Sequence, residues 1–136
     1  MKFSQFRHLH ELIRKSIHPD VAMPQLSILY LVYEQGTVAQ GEISKILSMP
    51  QGTVSRNVKK LSSYLVKNSK GDFVEGGYGL VRVTYDNPYD SRVAMVRLSD
   101  KGRRVMGKIQ EVLNRSTNEN RITSSIRGGS SSVHTN

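Results

Sequence analysis

Arg56, Lys59 and Lys60 lie in a stretch, residues 43–71, that carries six Lys/Arg and no acidic residue. Side chains of this type do two things to a nucleic acid. They neutralise phosphates, the source of most sequence-independent affinity, and an arginine can donate two parallel hydrogen bonds to one base edge. A second constellation, Asp90-x-Arg92, sits in the turn-forming run Asp86–Arg92. A carboxylate two residues before a guanidinium is close enough to orient it, and an arginine presented that way suits a narrow, electronegative minor groove. The plainer role for the pair is a surface contact that stabilises a hairpin by less than about 1 kcal/mol. The two roles are compatible.

The elements that must position these residues are legible from periodicity. In GEISKILSMPQGTVSRNVKKLSSYLV, Ile43, Ile46 and Leu47 mark a short helix from about Glu42 to Met49. Pro50 stops it, so Met49-Pro50-Gln51-Gly52 reads as a turn, and a second helix starts near Gly52 or Thr53 and runs to about Val66. At 100° per residue Val54, Val58, Leu61 and Leu65 share one face, with Gly52, Arg56, Lys59, Lys60 and Ser63 roughly opposite. The pattern is a helix-turn-helix whose second, basic helix is the candidate recognition helix. A solvated charged face is the alternative for such a helix taken alone.

Upstream, Phe3, Phe6, Leu9, Leu12, Ile13 and Ile17 predict an amphipathic helix ended by His18-Pro19. A second helix, Pro24 to Glu34, is apolar nearly all round and so is expected at the centre of the core, with Tyr30 and Tyr33 as core or boundary aromatics. Residues 37–40 could pair as a minimal strand. Lys67–Gly79, rich in Gly, Lys and Asn, reads as a loop, and its glycines fit neither a dinucleotide fingerprint nor a P-loop. Leu80–Tyr85 and Val93–Leu98 read as two strands of a hairpin, a wing placed directly after the recognition helix. Ser99 caps a last helix that extends to about Arg115, and the Ser/Thr/Asn-rich remainder reads as a mobile tail.

Composition bounds the alternatives. The chain has 136 residues, a 37% apolar content and a formal charge of +9, enough for one domain with a modest core and an anionic partner. Residues 1–71 hold ten Lys/Arg against four acids, so the charge sits in the helical half and not in a basic arm. With no cysteine, disulfides, thiolate zinc sites and thiol redox sensing are excluded. His8, His10 and His18 have no further ligand at a metal-site spacing and read as exposed helix histidines. No signal-peptide pattern and no apolar run of about 18 residues is present, which leads to an expectation of a cytoplasmic protein that neither spans nor lies on a membrane. No Ser-His or Cys-His set points to an enzyme, and no cofactor is expected.

The expected fold class is mainly α with a small β-hairpin. It comprises a winged helix-turn-helix domain over residues 1–115 with flanking N- and C-terminal helices, the helix-turn-helix at about 42–66, the wing at about 80–98, and a disordered polar tail over 116–136. EISKILSMPQGTVSRNVKKL, and DNPYDSRVAMVRLSDKGRRV with its Asp90-x-Arg92 and Leu98-Ser99-x-x-Gly102, resemble the multiple-antibiotic-resistance regulator (MarR) family of winged-helix proteins. The resemblance covers about residues 3–115. It implies that Gln51, Thr53, Ser55, Arg56 and Lys59 approach bases and phosphates in a major groove, with Lys60 on the same helix, while Arg92, oriented by Asp90, enters the adjacent minor groove. It also implies a homodimer, here through the Phe3–Ile17 and Lys101–Arg115 helices, acting on palindromic double-stranded operators, mostly as a repressor. Some members of the family release DNA on binding a small phenolic ligand, but no effector site is carried over to this chain. The alternatives are a DNA-binding accessory factor acting mainly on phosphates in replication, recombination or packaging, and a protein-interaction module built on the same fold.

Overall fold

Ile28, Leu29 and Val32 of the second helix are fully buried, and the rest of the chain is assembled around them. A computed structural model describes residues 1–127, with side chains to residue 118. The order is α1 (Phe3–Ser16), α2 (Met23–Gln35), β1 (Thr37–Ala39), α3 (Gln40–Leu47), α4 (Gln51–Leu61), β2 (Tyr64–Lys67), β3 (Phe73–Gly76), β4 (Val81–Thr84), β5 (Met95–Leu98) and α5 (Asp100–Arg127). Helices α1 and α5 pack on each other and on one side of the core, and α3 and α4 pack against α2 on another. Among the described residues no helix is long and apolar enough to cross a membrane.

The wing is part of a three-stranded antiparallel sheet in the order β1-β5-β4. The minimal strand β1 pairs Val38 with Val96, and β4 pairs Val83 with the same Val96, so the hairpin is held from both sides of β5. Val38, Val81, Val96 and Leu98 are buried beneath the helices. The Ser99 hydroxyl accepts the Gly102 N–H at 3.0 Å as the N-cap of α5 and donates to the Gly79 carbonyl at 2.6 Å, which ties the start of α5 to the start of β4.

Three expectations are corrected. Helix α4 stops at Leu61 and not at Val66, because the returning chain takes its last carbonyls. Tyr78 N–H donates to Lys60 O at 2.9 Å, Leu80 N–H to Leu61 O at 2.7 Å, and Gly79 N–H to Ser62 O at 3.3 Å. Tyr64-Leu65-Val66, strand-favouring residues, then pair with Phe73-Val74-Glu75. The segment read as a loop, Lys67–Gly79, thus contains the end of one strand and all of another, and Leu65 is 71% exposed instead of lying on the buried face of α4. Finally, α5 runs to Arg127, so the polar tail does not begin at Ser116. That residue is buried, and neither Gly nor Pro interrupts the sequence until Gly128, leaving no local signal to end the helix. The last part of the expected tail, 128–136, lies outside the described residues.

Candidate nucleic-acid interface

The helix-turn-helix is shorter at its corner than its composition suggests. Ser48 adopts the left-handed conformation (φ 52°, ψ 44°) at the end of α3, and its N–H and that of Met49 return to Lys45 O and Ser44 O. The Ser44 hydroxyl donates to Met49 O. Pro50, which has no N–H to leave unpaired, accepts the Val54 N–H at 3.1 Å and begins α4, so Gln51 and Gly52 belong to the helix and not to the turn.

Val54, Val58 and Leu61 bury one face of α4, while Gln51, Gly52, Ser55, Arg56, Lys59 and Lys60 are exposed and Thr53 is half-buried. The Arg56 guanidinium folds back over the first turn. Its Nη2 lies 3.5 Å from Thr53 Oγ1, and a Cβ placed on Gly52 would stand 3.2 Å from Nη1. Gly52 therefore leaves room for the arginine head at the N-terminal end of the helix, beside Gln51 and Thr53. Lys59 and Lys60 diverge from this group: the Lys59 ammonium lies 5.3 Å from the Tyr64 ring centre, and that of Lys60 lies 5.4 Å from the Tyr78 ring centre. Each remains exposed, but each also props the segment that follows α4.

Asn57 has a role that its sequence position did not disclose. Its side-chain amide donates to Thr53 O at 2.9 Å and accepts from Gln25 Nε2 at 3.4 Å, while Gln25, buried in the first turn of α2, accepts the Ala22 N–H at 2.9 Å. This chain sets α4 against α2. Only a glutamine in the first turn of a helix that is apolar nearly all round could have signalled it.

At the wing tip, Asn87 Oδ1 accepts the Tyr89 and Asp90 N–H groups at 2.8 and 3.1 Å, closing the turn after β4. The Asp90 carboxylate then takes Arg92 Nε at 3.0 Å and Nη2 at 3.2 Å, leaving the arginine side chain 89% exposed. That hydrogen bond, then one from the Arg92 backbone, holds the Asp90 carboxyl below the usual carboxylate range. A second pair, not anticipated from sequence, lies one step down the hairpin. Arg97 Nη2 donates to Asp86 Oδ2 at 2.8 Å and to Thr84 Oγ1 at 3.1 Å, and the Thr84 hydroxyl donates to Asp86 Oδ1 at 2.8 Å. The Thr84 hydrogen bond, ahead of the charge on Arg97, lowers Asp86 as well. Tyr89 projects from the tip at 96% exposure.

The arrangement can present to a polyanion one basic helix face and, at a wing tip whose Asp86 and Asp90 outnumber it, the single exposed guanidinium of Arg92. Among the described residues no group of three or more His, Cys, Asp or Glu could hold a metal ion. His10 packs against Phe6, and His18 stacks on Tyr78 at 5.3 Å while its Nδ1 accepts the Asp20 N–H.

Residues 20–63, about a third of the chain, match the MarR_2 model, described as MarR family. No curated protein matches the sequence. Among solved structures, a transcriptional regulator from Thermotoga maritima is 24% identical with a TM-score of 0.61, covering 91% of this chain and 73% of its own. A mutant MarR from E. coli is 20% identical with a TM-score of 0.57, covering 86% and 73%. The mutant MarR complexed with operator DNA is 19% identical with a TM-score of 0.54, covering 87% and 74%. The chain thus carries a MarR-family sequence pattern over its second helix and helix-turn-helix, set within the MarR-type winged-helix fold.

Proposed function

We propose that the protein is a sequence-specific double-stranded DNA-binding transcriptional regulator of the cytoplasm, with no catalytic activity. The observation that carries this reading is the pairing of one exposed basic helix face, with Arg56 seated over Gly52, with one clamped and exposed arginine at the wing tip. Helix α4 reads base edges in the major groove through Gln51, Thr53, Ser55 and Arg56, Lys59 and Lys60 meet phosphates, and Arg92 enters the neighbouring minor groove. The E. coli mutant of the same fold is described as bound to operator DNA, in keeping with this use of the fold.

The working form is a homodimer. Phe3 is 91% exposed, and α1, α2 and α5 enclose an open, largely apolar groove of about 420 Å³ lined by Leu9, Tyr30, Tyr33, Met106, Ile109 and Leu113. Burial keeps the Tyr30 hydroxyl protonated to higher pH than usual. A second copy covering α1 and α5 removes this surface from water and places two recognition helices on the two halves of a palindrome. Repression, by an operator that overlaps the polymerase's own site, is the proposed sign of regulation.

Selection of binding sites from a random duplex pool tests this, followed by titration of the best site and of scrambled DNA at near-physiological salt. A palindrome preferred by about a thousandfold or more supports the reading. Weak, salt-sensitive binding without a consensus overturns it in favour of a phosphate-binding accessory factor.

A further inference from the structure

Strands β2 and β3 form a two-stranded ribbon that pairs with no other strand in the described residues. A lone ribbon of this kind is marginal in water and leaves two strand edges open, so something must favour it. Its two faces differ. On the inner one, Tyr64 packs so closely over Gly76 that a Cβ there would lie 2.8 Å from the ring, Lys59 of α4 stands against Tyr64, and the Val66–Val74 pair beside them is 42% and 43% exposed, less than the apolar residues of the other face. The outer face alternates with it and points away from α4. It carries Leu65 opposite Glu75 and Lys67 opposite Phe73, all exposed, with Leu65 at 71% and Phe73 at 67%.

Nucleic acid does not fit this outer face. It is turned from Lys59 and the recognition face, and the ribbon with its turn holds two lysines, Lys67 and Lys70, against two acids, Asp72 and Glu75. What it does fit is itself. The four side chains form a square with the apolar pair on one diagonal and the charged pair on the other. A twofold axis along the strands, or across them, lays leucine on a charge. An axis through Lys67 and Glu75 lays like on like. An axis through Leu65 and Phe73 sets Leu65 on Leu65, Phe73 on Phe73, and Lys67 of each copy on Glu75 of the other, satisfying every group at once.

We propose that the outer face of the β2–β3 ribbon is a self-association surface for a second copy of this chain, packed face to face about that axis. It is separate from the groove between α1, α2 and α5, so it joins two-copy particles into larger assemblies and does not depend on DNA.

Sedimentation equilibrium of the full chain without DNA reads the outcome. The mass of the unaltered protein rises with concentration, and Leu65→Lys/Phe73→Lys loses that rise and stops one association step lower. Lys67→Glu also loses it, and Lys67→Glu/Glu75→Lys regains it. The chain has no native cysteine, so Leu65→Cys places two thiols on the axis with their backbones about 10 Å apart, too far for a disulfide but within the span of a short bis-maleimide, which links the pair. Equal masses for the unaltered protein and the Lys/Lys variant at every concentration overturn the proposal, as does a charge-swapped double variant that stays as dissociated as Lys67→Glu. Failure of Leu65→Cys to cross-link overturns it even if the lysine variants fail to fold.

Discussion

Asp90 grips Arg92 three times: its carboxylate accepts the arginine Nε and Nη2 hydrogens and also the Arg92 backbone N–H, at 3.0, 3.2 and 3.0 Å. The guanidinium is thereby aimed while its far edge stays in water. Arg92→Ala is expected to weaken operator binding by about 1 to 3 kcal/mol if the arginine reads the minor groove, and Asp90→Ala by less, because the charge remains while its aim is lost. Titration of both variants on one operator by fluorescence anisotropy checks the order. Equal affinity for Arg92→Ala and the unaltered protein removes the wing from the reading.

The two wing carboxylates titrate low, and the sign follows. A carboxyl whose folded pKa is depressed contributes stability that is present above its ordinary value, about 3.9 for Asp, and lost as pH falls through the lowered value. Wing order is therefore expected to be flat through the neutral range and to fail only in acid below the usual carboxylate midpoint. Carboxyl carbon NMR titration checks this. The Asp86 midpoint should rise in Thr84→Val, and the Asp90 midpoint in Arg92→Ala.

Gly52 separates folding from recognition. Alanine there favours the helix by about 0.5 to 1 kcal/mol, yet its Cβ meets the mobile end of Arg56 at 3.2 Å and displaces it. Gly52→Ala is expected to raise the unfolding midpoint while shifting base preference in a selection experiment. Arg56→Ala should cost about 1 to 3 kcal/mol of discrimination at one base position.

Asn57→Ala leaves Gln25 Nε2 without its partner in a nearly buried site, so a loss of about 1 to 3 kcal/mol of stability is expected in urea unfolding. Operator discrimination should fall with it, since α4 loses its register on α2. A variant that is destabilised but discriminates as before would limit Asn57 to a folding role.

Gly77 is a backbone constraint. Its φ is +83°, and a Cβ would fall 1.8 Å from the Ser62 carbonyl oxygen. Gly77→Ala is expected to cost at least about 1 to 3 kcal/mol and to loosen the junction of α4, the ribbon and the wing. Circular dichroism melting checks the cost, and faster amide exchange at Tyr78 and Leu80 checks the place.

What the chain's own order of residues determined is whatever depends on short spacing. The buried stripe Val54-Val58-Leu61, the stop at Pro50, the Asp90–Arg92 pair and the Ser99 cap all join residues within a few positions, where helix pitch or turn geometry settles who meets whom. The relationships that only the tertiary structure decided span longer separations: Gln25 with Asn57, Arg97 with Asp86, and Lys60 with Tyr78. The end of α4 belongs with them. Leu65 continues the helical stripe perfectly well on paper, but residues 78–80 return to take the last carbonyls of the helix, and Tyr64–Lys67 finds strand partners in Phe73–Gly76. Periodicity registers one segment at a time, whereas a helix end and a strand pairing are settled by which distant backbone groups arrive to satisfy them.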